Sequence, residues 1–236
     1  MTLPVAILAG GLGTRLGAIT RQVPKALVDV AGRPFAEHQI ELLVRHGVRR
    51  IVFCVGHLGD HIESAIGDGG RWNIEIQYSY DGAALVGTGG AVGAAIDRLG
   101  PRFLVLNGDT YLECDYESID AAFVAAGTEG LMTISREPRR DRANVRYEGG
   151  RVVAYDKGSG DPRMRHADNG LNGFTSEAFQ SCPAGAFDLG FVQRALIARG
   201  QLLAIEIPQP YFDMGSPEGL AALAAHLAPD GARSRI

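Results

Sequence analysis

A run of five apolar residues, Val5, Ala6, Ile7, Leu8 and Ala9, stops abruptly at Gly10-Gly11, and it limits the folds open to this chain more than any other stretch. A strand with no polar alternation is buried on both faces, so it needs a layer above and a layer below, as in parallel α/β sheets. Glycines at its end let the backbone turn with positive φ and let a ligand approach the main chain with no Cβ in the way. A concave row of N–H groups after a parallel strand suits phosphate oxygens. Arg15 and Lys25 add cations nearby, Arg15 as a fork that can grip phosphate at two points and Lys25 as a point charge. Pro24 sets the backbone just before Lys25. On the glycine spacing alone, an ordinary strand-to-helix turn with solvated cations is an equal reading.

The rest of the chain continues the alternation. Residues 35–48 have helical spacing with Gly47 as a C-cap, 50–55 read as a buried strand, 60–66 as a helix and 74–80 as a strand. This β-α-β-α-β order predicts parallel strands joined by right-handed crossovers. Gly87-Thr88-Gly89-Gly90 precedes a helix over 91–99, and its bare N–H groups and the Thr88 hydroxyl suit either a helix start or a ligand. Residues 102–106 form an apolar strand ending in Asn107-Gly108-Asp109. Open α/β sheets bind ligands at the carboxyl ends of such strands, and a carboxylate together with substrate phosphates is the usual seat of Mg²⁺. Capping the turn is the competing role for Asp109. A hairpin around Gly149-Gly150, a helix over 186–199 and a strand over 202–207 follow. Ser216-Pro217-Glu218 then starts the last helix, 220–227. The expected organisation is one domain over 1–228 and a flexible tail, 229–236. The expected fold class is α/β, a Rossmann-like three-layer sandwich around a mostly parallel central sheet.

Composition excludes several classes of function. With 46% hydrophobic and 21% charged residues, 236 residues can bury a sizeable core. A net charge of -4 argues against nucleic acid or an anionic membrane as partner. The arginines of 136–146 are interrupted by Glu137 and Asp141, as in a solvated loop. Cys54, Cys114 and Cys182 are odd in number and far apart, which points to reduced thiols and a cytoplasmic location. No basic segment precedes residues 3–9, so no signal peptide is expected, and no apolar run reaches transmembrane length.

The glycine run matches neither G-x-x-x-x-G-K-[ST] nor G-x-G-x-x-G. Gly10-Gly11-x-Gly13-Thr14-Arg15-Leu16 with Thr20 and Pro24-Lys25 instead closely resembles the N-terminal motif of the sugar-1-phosphate nucleotidyltransferases. The resemblance runs from Val5 to about Leu223 and implies the nucleotide-diphospho-sugar transferase fold. The implied activity is transfer of a nucleotidyl group from an NTP to a sugar 1-phosphate, releasing pyrophosphate. It also implies that Leu8, Ala9, Gly10, Gly11, Gly13, Thr14, Gly87, Thr88 and Asn107 bind nucleotide. Arg15, Lys25 and Asp109 would be catalytic, and Asp109 and Asp213 would hold Mg²⁺. Asp213 lies in Phe212-Asp213-Met214-Gly215-Ser216-Pro217-Glu218, which matches the family's aromatic-D-x-G-[ST]-P-E. Gly89, Lys157, Asp168 and Asn172 would contact the sugar phosphate. Two segments depart from the pattern. Asp156-Lys157 stands where the family has Glu-Lys. Asp168 to Phe174 stands for N-A-G-x-Y-x-F, with Asp168 at the asparagine and Asn172 at the aromatic position. Val86-Gly87-Thr88-Gly89-Gly90-Ala91 looks most like heptose and mannose guanylyltransferases, above all those acting on D-glycero-D-manno-heptose 1-phosphate, with N-acetylmuramate 1-phosphate uridylyltransferases next. The loop 162–166 is a candidate contact with substrate or with a second subunit of a homodimer. An idle regulatory subunit would be expected to have lost Arg15, Lys25, Asp109 or Asp213, and all four are present. An oxidoreductase would need Rossmann spacing, which is absent.

Overall fold

A computed structural model of the chain describes residues 2–11, 13, 16–17, 20, 23–82, 84–137 and 142–228. The predicted tail 229–236 and the site residues Thr14 and Arg15 lie outside the described residues.

The apolar run forms β1 (Val5–Leu8), whose Val5, Ala6 and Ile7 are fully buried. It is flanked in parallel by β4 (Arg50–Val55) and β6 (Arg102–Asn107), and β5 (Glu75–Tyr80) extends the sheet beyond β4. Between β1 and β4 stand a short ribbon, β2 (Asp29–Val30) with β3 (Arg33–Pro34), and helix α1 (Phe35–Arg45). Helix α2 (Gly59–Ile66) joins β4 to β5, and α3 (Gly87–Leu99) joins β5 to β6. The expected parallel half of the sheet is therefore present.

The other half is mixed. After β7 (Thr110–Leu112) and α4 (Tyr116–Ala126), strand β8 (Gly130–Arg136) does not pair with β6. The chain makes the hairpin β9 (Val145–Glu148) and β10 (Arg151–Tyr155) through Gly149-Gly150, then inserts β11 (His166–Thr175) antiparallel between β6 and β8. Helix α5 (Leu189–Ala198) leads to β12 (Leu202–Glu206), parallel to β8. The main path across the sheet is β12-β8-β11-β6-β1-β4-β5, with the β9–β10 hairpin joined to β11.

Alternation along the strands distributes helices to both faces, as three layers require. Val5, Ile7, Ile51 and Phe53 share one core with Phe35, Ile40, Ile62, Ile119 and Leu223, contributed by α1, α2, α4 and the last helix, α6 (Pro217–Leu227). Ala6, Val52 and Val105 share the other with Val92, Ala95, Val192 and Leu196 of α3 and α5. Helix α4 carried no expectation in the sequence. It is capped by Asp115, whose carboxylate accepts the Ser118 amide.

The winding reverses at β1: β4 and β5 lie to one side, β6 and β11 to the other. Ligands bind open α/β sheets at the carboxyl ends of strands beside such a reversal. Here those ends are pressed together, because a Cβ on Gly108 would fall 2.1 Å from the Leu8 carbonyl oxygen. Only a glycine permits that approach. Gly108→Ala is expected to destabilise the fold by roughly 1–3 kcal/mol or more, read as a lower urea midpoint. An unchanged midpoint would contradict the close packing of β1 on β6.

Candidate active site

The ends of β1 and β6 form the floor of a cavity of about 690 Å³, within the usual range for small-molecule sites. On the β1 side it is lined by Leu8, Ala9, Gly10, Gly11 and Gly13. The Ala9 amide extends the strand ladder by donating to the Cys54 carbonyl at 2.8 Å. Thr20, the threonine of the N-terminal motif, is buried and its hydroxyl donates to the Gly13 carbonyl at 2.8 Å, so it ties the loop down.

Lys25 opens a single 3-10 turn, Lys25–Leu27, with Pro24 (φ -59) immediately before it. Its ammonium reaches across to Asp109, Nζ to Oδ2 2.6 Å, and both side chains are largely withdrawn from solvent. Asp109 follows β6 in the turn to β7. Gln39 of α1, fully buried, steadies that turn by donating from Nε2 to the carbonyls of Thr110 (2.8 Å) and Asn107 (3.2 Å).

Asp213 comes to the same place from the other end of the chain. It ends β13 (Tyr211–Asp213), which pairs antiparallel with β7, Asp213 opposite Thr110. The Met214 amide donates to the Asp109 backbone carbonyl at 2.9 Å. The Asp213 carboxylate accepts the Gly215 amide at 2.7 Å. Ser216 caps α6 by accepting the Gly219 amide, with Pro217 in the first turn, as its sequence predicts. Asp109 and Asp213 thus line one cavity, and two carboxylates with the remaining positions left to phosphate and water suit Mg²⁺, a hard cation that keeps several waters. Among the described residues no group of three or more His, Cys, Asp or Glu gathers as a metal cluster.

Asn107, Gly87, Thr88, Lys157 and Asp168, all singled out in the sequence, also line the cavity. Gly89 and Asn172 do not. The helix predicted from 91 begins at Gly87, and the Gly89 and Gly90 amides, expected to be bare, both donate to the Phe187 carbonyl (2.9 and 3.3 Å). A Cβ on Gly89 would lie 2.4 Å from the Phe187 ring, so this glycine serves packing against the segment before α5. Thr88 is likewise not a cap of its own helix, whose N-cap is Val86. Its hydroxyl accepts the Leu189 amide at 2.9 Å, at the start of α5.

Asn172 is buried beneath the cavity wall. Its Nδ2 donates to Asp168 Oδ1 (3.1 Å) and its Oδ1 accepts from Gln193 Nε2 (3.0 Å). Asp168 further accepts the Gly170 amide (2.9 Å) and the Tyr155 hydroxyl (3.2 Å). Burial and this carboxylate push the Tyr155 phenol far above its ordinary value, so it remains a donor. Lining residues that sequence reasoning passed over include Asp81, Leu85, Arg142, Asn144 and Asn169. Asn144 bears directly on a predicted residue, since its Oδ1 accepts the Asp168 amide at 2.9 Å. Nothing in its local sequence signals that contact.

Residues 5–147 match the family model described as Nucleotidyl transferase. The chain belongs to the nucleotidyl transferase family. Among curated relatives, the UTP–glucose-1-phosphate uridylyltransferase of Synechocystis is 38% identical over 205 residues, 78% of this chain and 52% of that protein. The D-glycero-alpha-D-manno-heptose 1-phosphate guanylyltransferase of Campylobacter jejuni is 34% identical over 113 residues, 48% of this chain and 50% of that protein. This nucleotidyl transferase therefore spans about half the length of these relatives. A candidate glucose-1-phosphate thymidylyltransferase of Bacillus anthracis, solved with sucrose, superposes with a TM-score of 0.86. It is 24% identical, with 97% of this chain and 96% of that one covered, a likeness of fold.

The three cysteines of this nucleotidyl transferase are free, and Cys54 lines the cavity floor. Burial, aided by the Asp81 charge, pushes its thiol from 9.0 up to about 12. The folded group titrates above the unfolded one, so its contribution to stability is complete below pH 9 and is lost as pH rises toward 12. A thiolate-seeking disulfide reagent at pH 8 should leave Cys54 unmodified in the native chain and label it in urea. Rapid native labelling would show that the thiol is accessible and ionised.

Proposed function

We propose that this chain transfers a nucleotidyl group from an NTP, in our reading GTP, to a sugar 1-phosphate of the manno-heptose or hexose class, giving NDP-sugar and pyrophosphate. The observation that carries this reading is the Lys25–Asp109 pair at 2.6 Å in a cavity that also takes in Asp213 and Lys157. A phosphate monoester is already an anionic nucleophile at neutral pH, so no general base is needed. The work is to bring two polyanions together and hold them in line.

In this proposal the amides after β1, from Gly10 to Gly13 and on to Thr14, receive the triphosphate. Arg15 neutralises charge that builds on the pyrophosphate leaving group. Lys25 moves from Asp109 to bridge the α-phosphate and the incoming phosphate, and Lys157 holds the latter. Mg²⁺ bound by Asp109 and Asp213 would supply charge neutralisation at the α-phosphate. Asp168 faces the sugar, and Asn172 and Gln193 act behind it. The unpaired thiols and the absence, among the described residues, of a helix long and apolar enough to cross a membrane accord with work in the cytoplasm on small soluble substrates.

The rival with a specific observation behind it is uridylyl transfer, because a relative 38% identical over 78% of this chain is named a uridylyltransferase. Pyrophosphate release, with Mg²⁺ and each NTP crossed against hexose, heptose and amino-sugar 1-phosphates, separates the two. GTP with a manno-configured phosphate should be the productive pair. UTP as the productive nucleotide would keep the chemistry and change the base. Nucleotide binding without release from any pair would make the chain a regulatory binder.

Asp109→Asn should abolish turnover while leaving the fold intact, read as an unchanged far-UV circular dichroism spectrum. Lys25→Ala should lower kcat by roughly 10²-fold or more, the usual loss when a preorganised charge at the reacting centre is removed. Near-normal turnover in Asp109→Asn would sink the metal assignment.

A further inference from the structure

The last helix, α6, turns one stripe of residues toward the β7–β13 ribbon: Gly219, Leu223 and His226, spaced four and three apart. A Cβ on Gly219 would fall 1.8 Å from the Asp213 carbonyl oxygen, and Leu223 is fully buried. At the far end of the stripe the His226 ring stacks on Phe212 of β13, with centroids 4.5 Å apart and planes at 30°. The Tyr111 ring of β7 meets it edge-on at 6.2 Å. Its Nε2 donates to Glu113 Oε2 at 3.0 Å, just past the end of β7. Glu113 Oε1 accepts the Tyr111 hydroxyl at 3.3 Å, and the Arg45 guanidinium of α1 stands 4.0 Å from it. One imidazole therefore grips both strands of the ribbon.

The ribbon needs that grip. It holds three residue pairs, Tyr211 with Leu112, Phe212 with Tyr111 and Asp213 with Thr110, and a two-stranded ribbon that short is marginal in water. Successive strand residues face opposite ways. Tyr211 and Asp213 line the cavity, so Phe212 between them turns its ring to the far side, where His226 lies against it. A slip of one residue in register would carry Asp213 away from the cavity. The Met214 amide on the Asp109 carbonyl and the Gly215 amide on the Asp213 carboxylate fix the backbone at the end of the ribbon. Phe212 is held from behind, by a side chain that also reaches β7.

We propose that His226 is a positioning residue for the metal site: its stack on Phe212 and its bond to Glu113 hold Asp213 at the spacing from Asp109 that a divalent cation requires. The inference rests on the reading of Asp109 and Asp213 as Mg²⁺ ligands. Mg²⁺ demands near-ideal octahedral geometry with short bonds, so its affinity depends closely on where the second carboxylate sits. Groups behind metal ligands set affinity for this reason, and losing one weakens binding by about 10- to 100-fold. His226 does not line the cavity, so it acts through Phe212 and the ribbon.

Mn²⁺, which takes the same oxygen ligands as Mg²⁺ and is read by electron paramagnetic resonance, tests this on the whole chain without nucleotide. His226→Ala should weaken Mn²⁺ binding about tenfold. His226→Phe, which keeps a ring on Phe212 and loses the bond to Glu113, should weaken it less. Cys54 should be labelled at the wild-type rate in both, because the sheet beneath the cavity is untouched. Unchanged Mn²⁺ affinity in His226→Ala overturns the proposal. So does an equal loss in the two variants, or Cys54 labelling that quickens in step with the loss, which would mark general loosening. If His226→Ala does not fold, Glu113→Ala decides: it should weaken Mn²⁺ binding, and unchanged affinity overturns the proposal. Wild-type Mn²⁺ binding that Asp109→Asn leaves unmoved would overturn the metal reading itself. An unaffected His226→Ala beside a weakened Asp109→Asn removes this inference alone.

Discussion

The contact between Gly108 and the Leu8 carbonyl oxygen is the constraint on which the rest of the site depends. It brings the ends of two parallel strands so close that the loops leaving them, Leu8 to Gly11 and Asn107 to Asp109, rise from one point. Each is then tied down by a side chain from outside the loop. Gln39, from the helix beneath, holds the carbonyls of Asn107 and Thr110, and Thr20 holds that of Gly13. The β7–β13 ribbon adds Asp213 to the group, because its register sets Asp213 opposite Thr110. A site assembled this way is placed by the sheet, and loops only deliver its side chains.

The Lys25–Asp109 pair gives that site its electrostatic character. Each charge is largely removed from water, where an unpartnered ion would be expensive, and each is stabilised by the other. In the proposed reaction an arriving phosphate and a divalent cation offer new partners to both ends of the pair at once. Neither charge passes through an unpaired state, and each group starts within reach of its new partner. Such preorganisation is what an enzyme needs when its task is to overcome repulsion between anions.

What was legible in the sequence was what is encoded locally. β1, its glycine loop, β4, β5, β6 and the Ser216-Pro217 helix start follow from short runs, and the structure has all of them. The family motifs at the N-terminus, at Asn107 to Asp109 and at Phe212 to Glu218 also led to Lys25, Asp109 and Asp213, which line one cavity. The errors have a common origin in long-range contacts. Gly89 and Gly90 read as a bare helix start because Phe187, whose carbonyl occupies their amides, lies about a hundred residues further on. The direction of β11 could not be read either. Its residues, HADNGLNGFT, are mostly small or polar and carry no apolar pattern, and its insertion between β6 and β8 is decided by a chain that first completes the β9–β10 hairpin. Asp81 carried no expectation from the sequence, because only the approach of β1 and β4 gives its carboxylate a cavity to face.

The two departures from the family pattern at 168 and 172 have one physical explanation. A register shift between Asp168 and Asn172 leaves them close enough for the Asn172 amide to donate to the Asp168 carboxylate. Gln193 closes the set by donating to Asn172 and reaching toward Asp168 (3.5 Å). An asparagine at 168 would put an amide nitrogen on one side of the group, facing either the Gly170 amide or the Tyr155 hydroxyl, both of which need an acceptor. The carboxylate at 168 thus calls for donors behind it, and Asn172 with Gln193 provides them. The cavity wall at Asp168, with Asn172 and Gln193 behind it, is one interdependent unit, so altering it means changing these residues together.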